Sequence, residues 1–276
     1  MQQQAAPIGI FDSGYGGLTV MQEIVKALPQ YDYIYLGDNA RTPYGNRSFD
    51  TIYEYTLQAV NWFFKQGCQL VILACNTASA KALRTIQQKD LPIIAPDRRV
   101  LGVIRPTTEA IGSFTHTKEV GIVATKGTVN SNSYPIEINK FFPQVKVYQH
   151  ACPMWVPLVE NNEHEKPGAD YFIQQDINAL LTAGPNIDVL LLGCTHYPLL
   201  KQKIKQYLPA QVQLLAQGEI VAQSLVQYLQ RHPEIEAVCS KNGSRSFNTT
   251  DDTTDFDNHA VIFYGEKIDS QHVILS

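Results

Sequence analysis

The chain has 276 residues, 44% of them hydrophobic, which is enough for one large or two medium domains with substantial cores. A formal charge of −4 and a pI near 6.0 provide no basic face for a phosphate backbone, so nucleic acid is excluded as an expected partner. No apolar run approaches the roughly 20 residues that span a bilayer, and residues 1–4 lack the basic start and apolar core of a signal peptide, so a soluble cytoplasmic protein with no membrane partner is expected.

In chain order, Pro7-Ile8-Gly9-Ile10-Phe11 reads as a buried strand, and Asp12-Ser13-Gly14-Tyr15-Gly16-Gly17 as a turn into a helix over 18–28. Three readings of this turn compete. Gly14 and Gly16 fit the first two glycines of a dinucleotide fingerprint, but Thr19 stands where the third glycine or alanine belongs, and Asp12 intervenes after the strand. A tight turn that only glycine permits is the structural alternative. The third is an anion cradle: backbone N–H groups at a helix start face a carboxylate while Asp12 receives an ammonium group, a pair of demands that an amino acid satisfies.

A second strand over 31–36 leads into the polar loop Gly37-Asp38-Asn39-Ala40-Arg41-Thr42-Pro43-Tyr44-Gly45, placed where α/β sheets present binding residues. A helix over 49–66 follows, with aromatics at core spacing. The apolar run Leu70-Val71-Ile72-Leu73-Ala74 then ends in Cys75-Asn76-Thr77-Ala78-Ser79 and a helix over 80–88. That position, at a strand end and helix start, is one where the helix dipole can stabilise a thiolate. Residues 91–94 read as a short strand and 95–101 as an irregular connection, with a domain boundary near 100.

The pattern then restarts. A helix within 106–112, the strand 119–124, the turn Thr125-Lys126-Gly127-Thr128 and the strand 146–150 lead through Cys152-Pro153 and an acidic loop to a helix over 169–183. The strand 187–192 delivers Gly193-Cys194-Thr195-His196-Tyr197-Pro198 and a helix over 199–207. The remainder holds a strand, a helix over 219–231, a polar turn at 241–244 and two terminal strands. The expected architecture is α/β: two pseudo-symmetric domains with mainly parallel sheets and the active site in the cleft between them. The first comprises 1–100 plus 210–276 and carries Cys75; the second, 101–209, carries Cys194. Asp251-Asp252 reads as a solvated turn, since no ligand spacing surrounds it.

Cys68, Cys75, Cys152, Cys194 and Cys239 suggest no disulfide framework. A lone cysteine at a strand end is ordinarily a small buried hydrophobe. Two in matched settings suggest a duplicated half-site. Zinc is poorly served, because Cys194-x-His196 has no second ligand pair nearby, so no metal is expected. What needs two opposed thiols is inversion at a carbon acid, where one face loses a proton and the other gains one. A reference pKa near 8.5 suits thiol to either role, with Asp12 and His196 placed to assist. No pyridoxal lysine or other cofactor is called for.

Phe11-Asp12-Ser13-Gly14-x-Gly16-Gly17-Leu18-Thr19, Asp38-Asn39-x-Arg41-x-Pro43-Tyr44-Gly45, Ala74-Cys75-Asn76-Thr77-Ala78 and Leu192-Gly193-Cys194-Thr195-His196-Tyr197-Pro198-Leu199 resemble the glutamate racemases of the aspartate/glutamate racemase family. The resemblance spans nearly the whole chain, including Ala124-Thr125-x-Gly127-Thr128, Val156-Pro157-Leu158-Val159-Glu160 and Thr249-Thr250-Asp251-Asp252. It implies a cofactor-independent isomerase interconverting L- and D-glutamate for peptidoglycan synthesis, cell wall biogenesis and cell shape in a bacterium, and a homodimer. It makes Cys75 the thiol that deprotonates D-glutamate and Cys194 the one that deprotonates L-glutamate. Substrate contacts fall on Asp12, Ser13, Tyr44, Gly45, Asn76, Thr77, Thr125, Thr195 and His196, with Asp38, Pro43 and Glu160 in support. In this reading the Tyr44-Gly45 backbone holds the side-chain carboxylate, and Asn76 and Thr195 the α-carboxylate. Two stretches depart from the family pattern: Arg105-Pro106-Thr107 stands where relatives commonly run Glu-Pro-Gly, and Ala216-Gln217-Gly218 where they often have Asp-Ser-Gly. An aspartate racemase or a non-catalytic amino-acid binding protein are the rival readings.

Overall fold

The computed structural model describes residues 5–275; the 1–4 stretch read for a leader lies outside them. Among the described residues, ten strands form two sheets: β1 (Ile8–Asp12), β2 (Tyr33–Gly37), β3 (Leu70–Leu73), β4 (Arg99–Gly102), β5 (Glu119–Ala124), β6 (Lys146–Ala151), β7 (Val189–Gly193), β8 (Gln213–Leu215), β9 (Arg245–Thr249) and β10 (Ser270–His272). The first sheet has the order β10-β9-β2-β1-β3-β4 and the second β6-β5-β7-β8. All pairings within them are parallel. The order β2-β1-β3-β4 is repeated as β6-β5-β7-β8, so the α/β architecture is pseudo-duplicated as the sequence pattern implies.

Parallel sheets are covered on both faces, which is why β1, β3 and β7 read as unbroken apolar runs and are buried at every position. The helix Phe49–Lys65 shows how a cover is built. Ser48 caps it, its Oγ accepting from Thr51 N at 3.1 Å, and Ile52, Thr56, Ala59, Val60 and Phe63 form the buried stripe. Phe63 seats against Gly9 of β1, where a Cβ would meet the ring at 2.6 Å. Phe63→Ala would cost about 3–5 kcal/mol.

The chain crosses from the first sheet to the second after β4 and returns after β8. Strand β8 lies beyond residue 210 and pairs with β7, so the return falls after Leu215. The helix Gln217–Arg231 then packs on the helix Gly17–Ala27.

Two expectations fail around β4. Residues 91–94 are not a strand: the chain stays helical through a π-turn at Ile86–Asp90 into Leu91–Ile94, where Pro92 in the first turn gives up no hydrogen bond. Ile93 is 82% exposed, so this apolar run buries little. The strand position beside β3 goes to Arg99–Gly102, within the supposedly irregular stretch. A helix over Thr253–Tyr264 stands between the two terminal strands, where the sequence reading places none. Its start is capped by Asp252, whose carboxylate accepts from Asp255 N at 2.8 Å, and it buries Phe256, Ala260, Phe263 and Tyr264 at helical spacing. No helix among the described residues is long and apolar enough to cross a membrane.

Candidate active site

In an open parallel sheet, ligands bind beyond the carboxyl ends of strands where connections leave in opposite directions. Here β1 and β3 are such neighbours in one sheet, and β5 and β7 in the other. Asp12 ends β1 and Cys75 follows β3; Thr125 follows β5 and Cys194 follows β7. These strand ends converge on a small cavity of about 80 Å³ lined by both thiols, with Ser13, Pro43, Tyr44, Gly45, Asn76, Thr77, Thr125, Glu160, Thr195 and His196. A larger cavity of about 370 Å³, between β4 and the helix Gln217–Arg231, holds neither thiol. Chemistry, not size, therefore places the site.

The two halves touch around the cavity. Thr77 and Thr125 hydroxyls lie 3.1 Å apart, Thr195 Oγ1 donates to Asp12 Oδ1 at 3.5 Å, and Thr19 Oγ1 donates to the Thr195 carbonyl at 3.0 Å. Gly45 packs on Thr125, where an added Cβ would fall 3.1 Å from the threonine Cβ.

The turn after β1 does not use glycine for its backbone freedom. Gly16 has φ −57°, an ordinary helical value. It is there for space: a Cβ would lie 2.2 Å from Thr195 Oγ1 and 2.5 Å from His196 Nδ1.

The thiols have unlike surroundings. Cys75 caps the short helix Asn76–Lys81: Ala78 N–H donates to its sulfur at 3.5 Å, and the thiol donates to Ser13 Oγ at the same distance. Burial, reinforced by the Asp12 carboxylate, nevertheless pushes the Cys75 thiol up to about 12, so the expected thiolate stabilisation by the helix start is outweighed. Cys194 lies 4.0 Å from His196 Nδ1, and the other ring nitrogen lies 3.0 Å from Glu160 Oε1. Burial pulls the His196 pKa down, but its bonds to Cys194 and Glu160 win and raise it to about 10. The imidazole is thus held as a cation beside Cys194.

Asp12 and Asp38 do not line the cavity. Asp12 is buried beneath it, accepting from Gly14 N at 3.0 Å; burial raises its pKa, opposed by His196 and the Gly17 and Gly14 N–H groups. Asp38 is fully buried, accepts hydrogen bonds from the Tyr44 hydroxyl and from Thr250 Oγ1 at 2.9 Å, and pairs with Arg41 at 2.7 Å. It positions the Tyr44 loop. Asn76 reaches the cavity, but part of its amide is already committed to Gln217 and Tyr134. Thr42, Asn46, Lys126 and the Cys152, Pro153, Val156 and Pro157 group also line the site, beyond the residues the sequence reading assigns to it. The residues from 152 to 157 belong to the run that ends at Glu160, and that run is their signal in the sequence.

The family profile described as Asp/Glu/Hydantoin racemase matches residues 8–225. The glutamate racemase of Geobacter metallireducens is 38% identical over 262 residues, covering 95% of this chain and 93% of that one. Among solved structures, glutamate racemase isoform RacE1 of Bacillus anthracis superposes with a TM-score of 0.88 at 32% identity, and the Francisella tularensis glutamate racemase in complex with D-glutamate with 0.87 at 31%. Each comparison covers 98% of both chains. The fold, the site and these likenesses define an isomerase. The chain belongs to the Asp/Glu/Hydantoin racemase family.

Proposed function

We propose that the protein interconverts L- and D-glutamate by proton transfer at the α-carbon between two thiols, working as two domains that close over the substrate. Cys75 and Cys194, presented to one cavity from the matched strands β3 and β7, carry this reading. The glutamate racemase names of the relatives and the D-glutamate bound by the Francisella enzyme support the choice of substrate.

In the L-to-D direction, Cys194, as a thiolate beside the cationic His196 imidazole, takes the α-proton from one face. Cys75, a protonated thiol in its buried setting, gives its proton to the opposite face. One C–H bond breaks, another forms, and the thiol and thiolate have exchanged places. The reverse direction starts from thiolate at Cys75. Carbanion charge is met by hydrogen-bond donors in a site that excludes water. Thr195, the second N–H of Asn76 and the Tyr44–Gly45 backbone are the donors for the two carboxylates, with Ser13, Thr77 and Thr125 completing the walls. No step is assigned to a cofactor. The first domain comprises residues 5–102, through β4, and the chain after the return crossing, and the second is the stretch between them. The physiological role that follows is supply of D-glutamate for peptidoglycan in the cytoplasm, by a homodimer.

Purified protein without pyridoxal phosphate, incubated with either enantiomer in deuterium oxide, should invert glutamate and place deuterium at its α-carbon. Absence of exchange with both enantiomers would falsify this reading. Aspartate, one methylene shorter, should turn over with kcat/KM about 10–200-fold lower; a preference for aspartate replaces the substrate assignment.

A further inference from the structure

Behind the cavity wall, the Gln217 side chain is buried in a closed ring of hydrogen bonds with Asn76 and Tyr134. Asn76 Nδ2 donates to Gln217 Oε1 at 2.7 Å, Gln217 Nε2 donates to the Tyr134 hydroxyl at 2.7 Å, and that hydroxyl donates to Asn76 Oδ1 at 2.6 Å. The second N–H of Gln217 Nε2 is shared between Thr107 Oγ1 at 3.0 Å and the Val103 carbonyl at 3.3 Å. Asn76 lines the cavity beside Cys75; Gln217 and Tyr134 do not.

The direction of every bond in this ring follows from one backbone group. The Val103 carbonyl can only accept, and the Thr107 hydroxyl already donates to it at 2.9 Å, leaving Thr107 an acceptor toward Gln217. Gln217 must therefore turn its NH₂ to Val103 and Thr107 and its oxygen to Asn76. Asn76 must answer with its NH₂, which puts its oxygen toward Tyr134. An amide's two ends have nearly the same shape, so only such a network decides which one a ligand meets. Rotating either amide by 180° sets two acceptors against each other in a buried place.

We infer that Gln217 is a positioning residue: anchored on Val103 and Thr107 and closed into a ring with Tyr134, it fixes the Asn76 amide so that the remaining N–H of Nδ2 is offered to the substrate α-carboxylate. This rests on the proposed racemase reading. Val103 and Gln217 stand on the two segments that join the sheets, so the ring also ties the donor's orientation to the crossing points.

The test is glutamate racemisation by Gln217→Met, Gln217→Glu, Thr107→Val and Asn76→Ala, with wild type alongside. Gln217→Met keeps the length and loses the bonds. Its KM for glutamate should rise about tenfold with kcat changed much less, the pattern of a lost binding contact. Asn76→Ala combined with Gln217→Met should be no worse than Asn76→Ala alone, because one residue acts through the other. Gln217→Glu should be impaired when its carboxylate is ionised and recover toward acid pH, where a protonated carboxyl again donates to Tyr134; wild type has no such recovery. If Gln217→Met does not fold, Thr107→Val and Gln217→Glu decide. An unchanged KM in Gln217→Met, additive loss in the double variant, or a wild-type pH profile for Gln217→Glu overturns the inference while wild type racemises glutamate. A wild type that inverts neither enantiomer overturns the functional reading itself.

Discussion

The sulfur of Cys194 and Nδ1 of His196 are 4.0 Å apart, and the imidazole, backed by Glu160, has its pKa raised to about 10. A histidine whose folded pKa exceeds its unfolded value near 6.5 stabilises the fold fully below that value and loses the contribution as pH rises through about 10. Urea unfolding of wild type should therefore show stability falling from pH 7 to 8.5, the histidine contributing at most about 1.4 kcal/mol per pH unit. His196→Gln should be flatter over the same range. Buried thiols such as Cys75 act in the same direction as the unfolded thiols ionise near pH 8.5, but they do so in both proteins, so the difference between the two slopes isolates the histidine. Equal slopes for the two proteins would refute the charged-imidazole assignment.

Replacing either thiol should stop inversion without unfolding the protein. Cys75→Ser and Cys194→Ser keep shape and hydrogen-bonding capacity but lose an acid and base of suitable pKa, so kcat should fall by about 10²–10⁴-fold in each. Circular dichroism and melting temperature should stay close to wild type. A serine variant with wild-type turnover would remove that cysteine from the proton path.

What could be read from the chain was what lies immediately after a buried strand. Asp12, Asp38, Cys75, Thr125 and Cys194 each follow an apolar run, and the repeat of one strand order in both sheets is what those matched runs describe. What could not be read depends on contacts between distant segments. Asp12 looks like a substrate ligand beside its glycines, yet the fold puts it beneath Thr195. The apolar run at 91–94 looks like a strand, but the neighbouring helix continues into it and Arg99–Gly102 takes the position beside β3. Thr107 and Gln217, seen in sequence only as two departures from a family pattern, hydrogen-bond to each other. Neither has meaning without the other.

Asp32 should govern acid stability away from the site. Its carboxylate accepts from Asn242 N at 3.1 Å, Asn242 Nδ2 at 2.7 Å, Ser244 N at 2.8 Å and Ser244 Oγ at 2.7 Å, tying the start of β2 to the turn before β9. Burial alone would raise its pKa, but the Ser240 hydroxyl together with these donors holds it well below the usual carboxylate range. The stability it contributes is present above an unfolded pKa near 3.9 and lost as pH falls below it. Asp32→Ala should cost about 3 kcal/mol at neutral pH, read by urea unfolding, and shrink the loss of stability between pH 5 and 3. An unchanged acid limb would show that other carboxylates control it.

Gly16 tests whether the two halves of the site must meet as closely as they do. Its backbone is helical, so alanine brings no conformational penalty there, and intrinsic helix propensity would even favour the change. The added methyl, however, would enter the space held by Thr195 Oγ1 and His196 Nδ1. Thr195 and His196 flank Cys194 and are held from behind by Asp12 and Glu160, so they cannot yield without moving the thiol away from the cavity. Gly16→Ala should thus lower stability by about 1–3 kcal/mol through overpacking. Displacement of the reacting groups should reduce kcat by at least about 10²-fold. Gly14→Ala is the control: its Cβ would meet nothing closer than 3.6 Å, so it should retain far more activity. If Gly16→Ala races glutamate as fast as Gly14→Ala, the approach of the first helix to Cys194 is not a requirement of the chemistry.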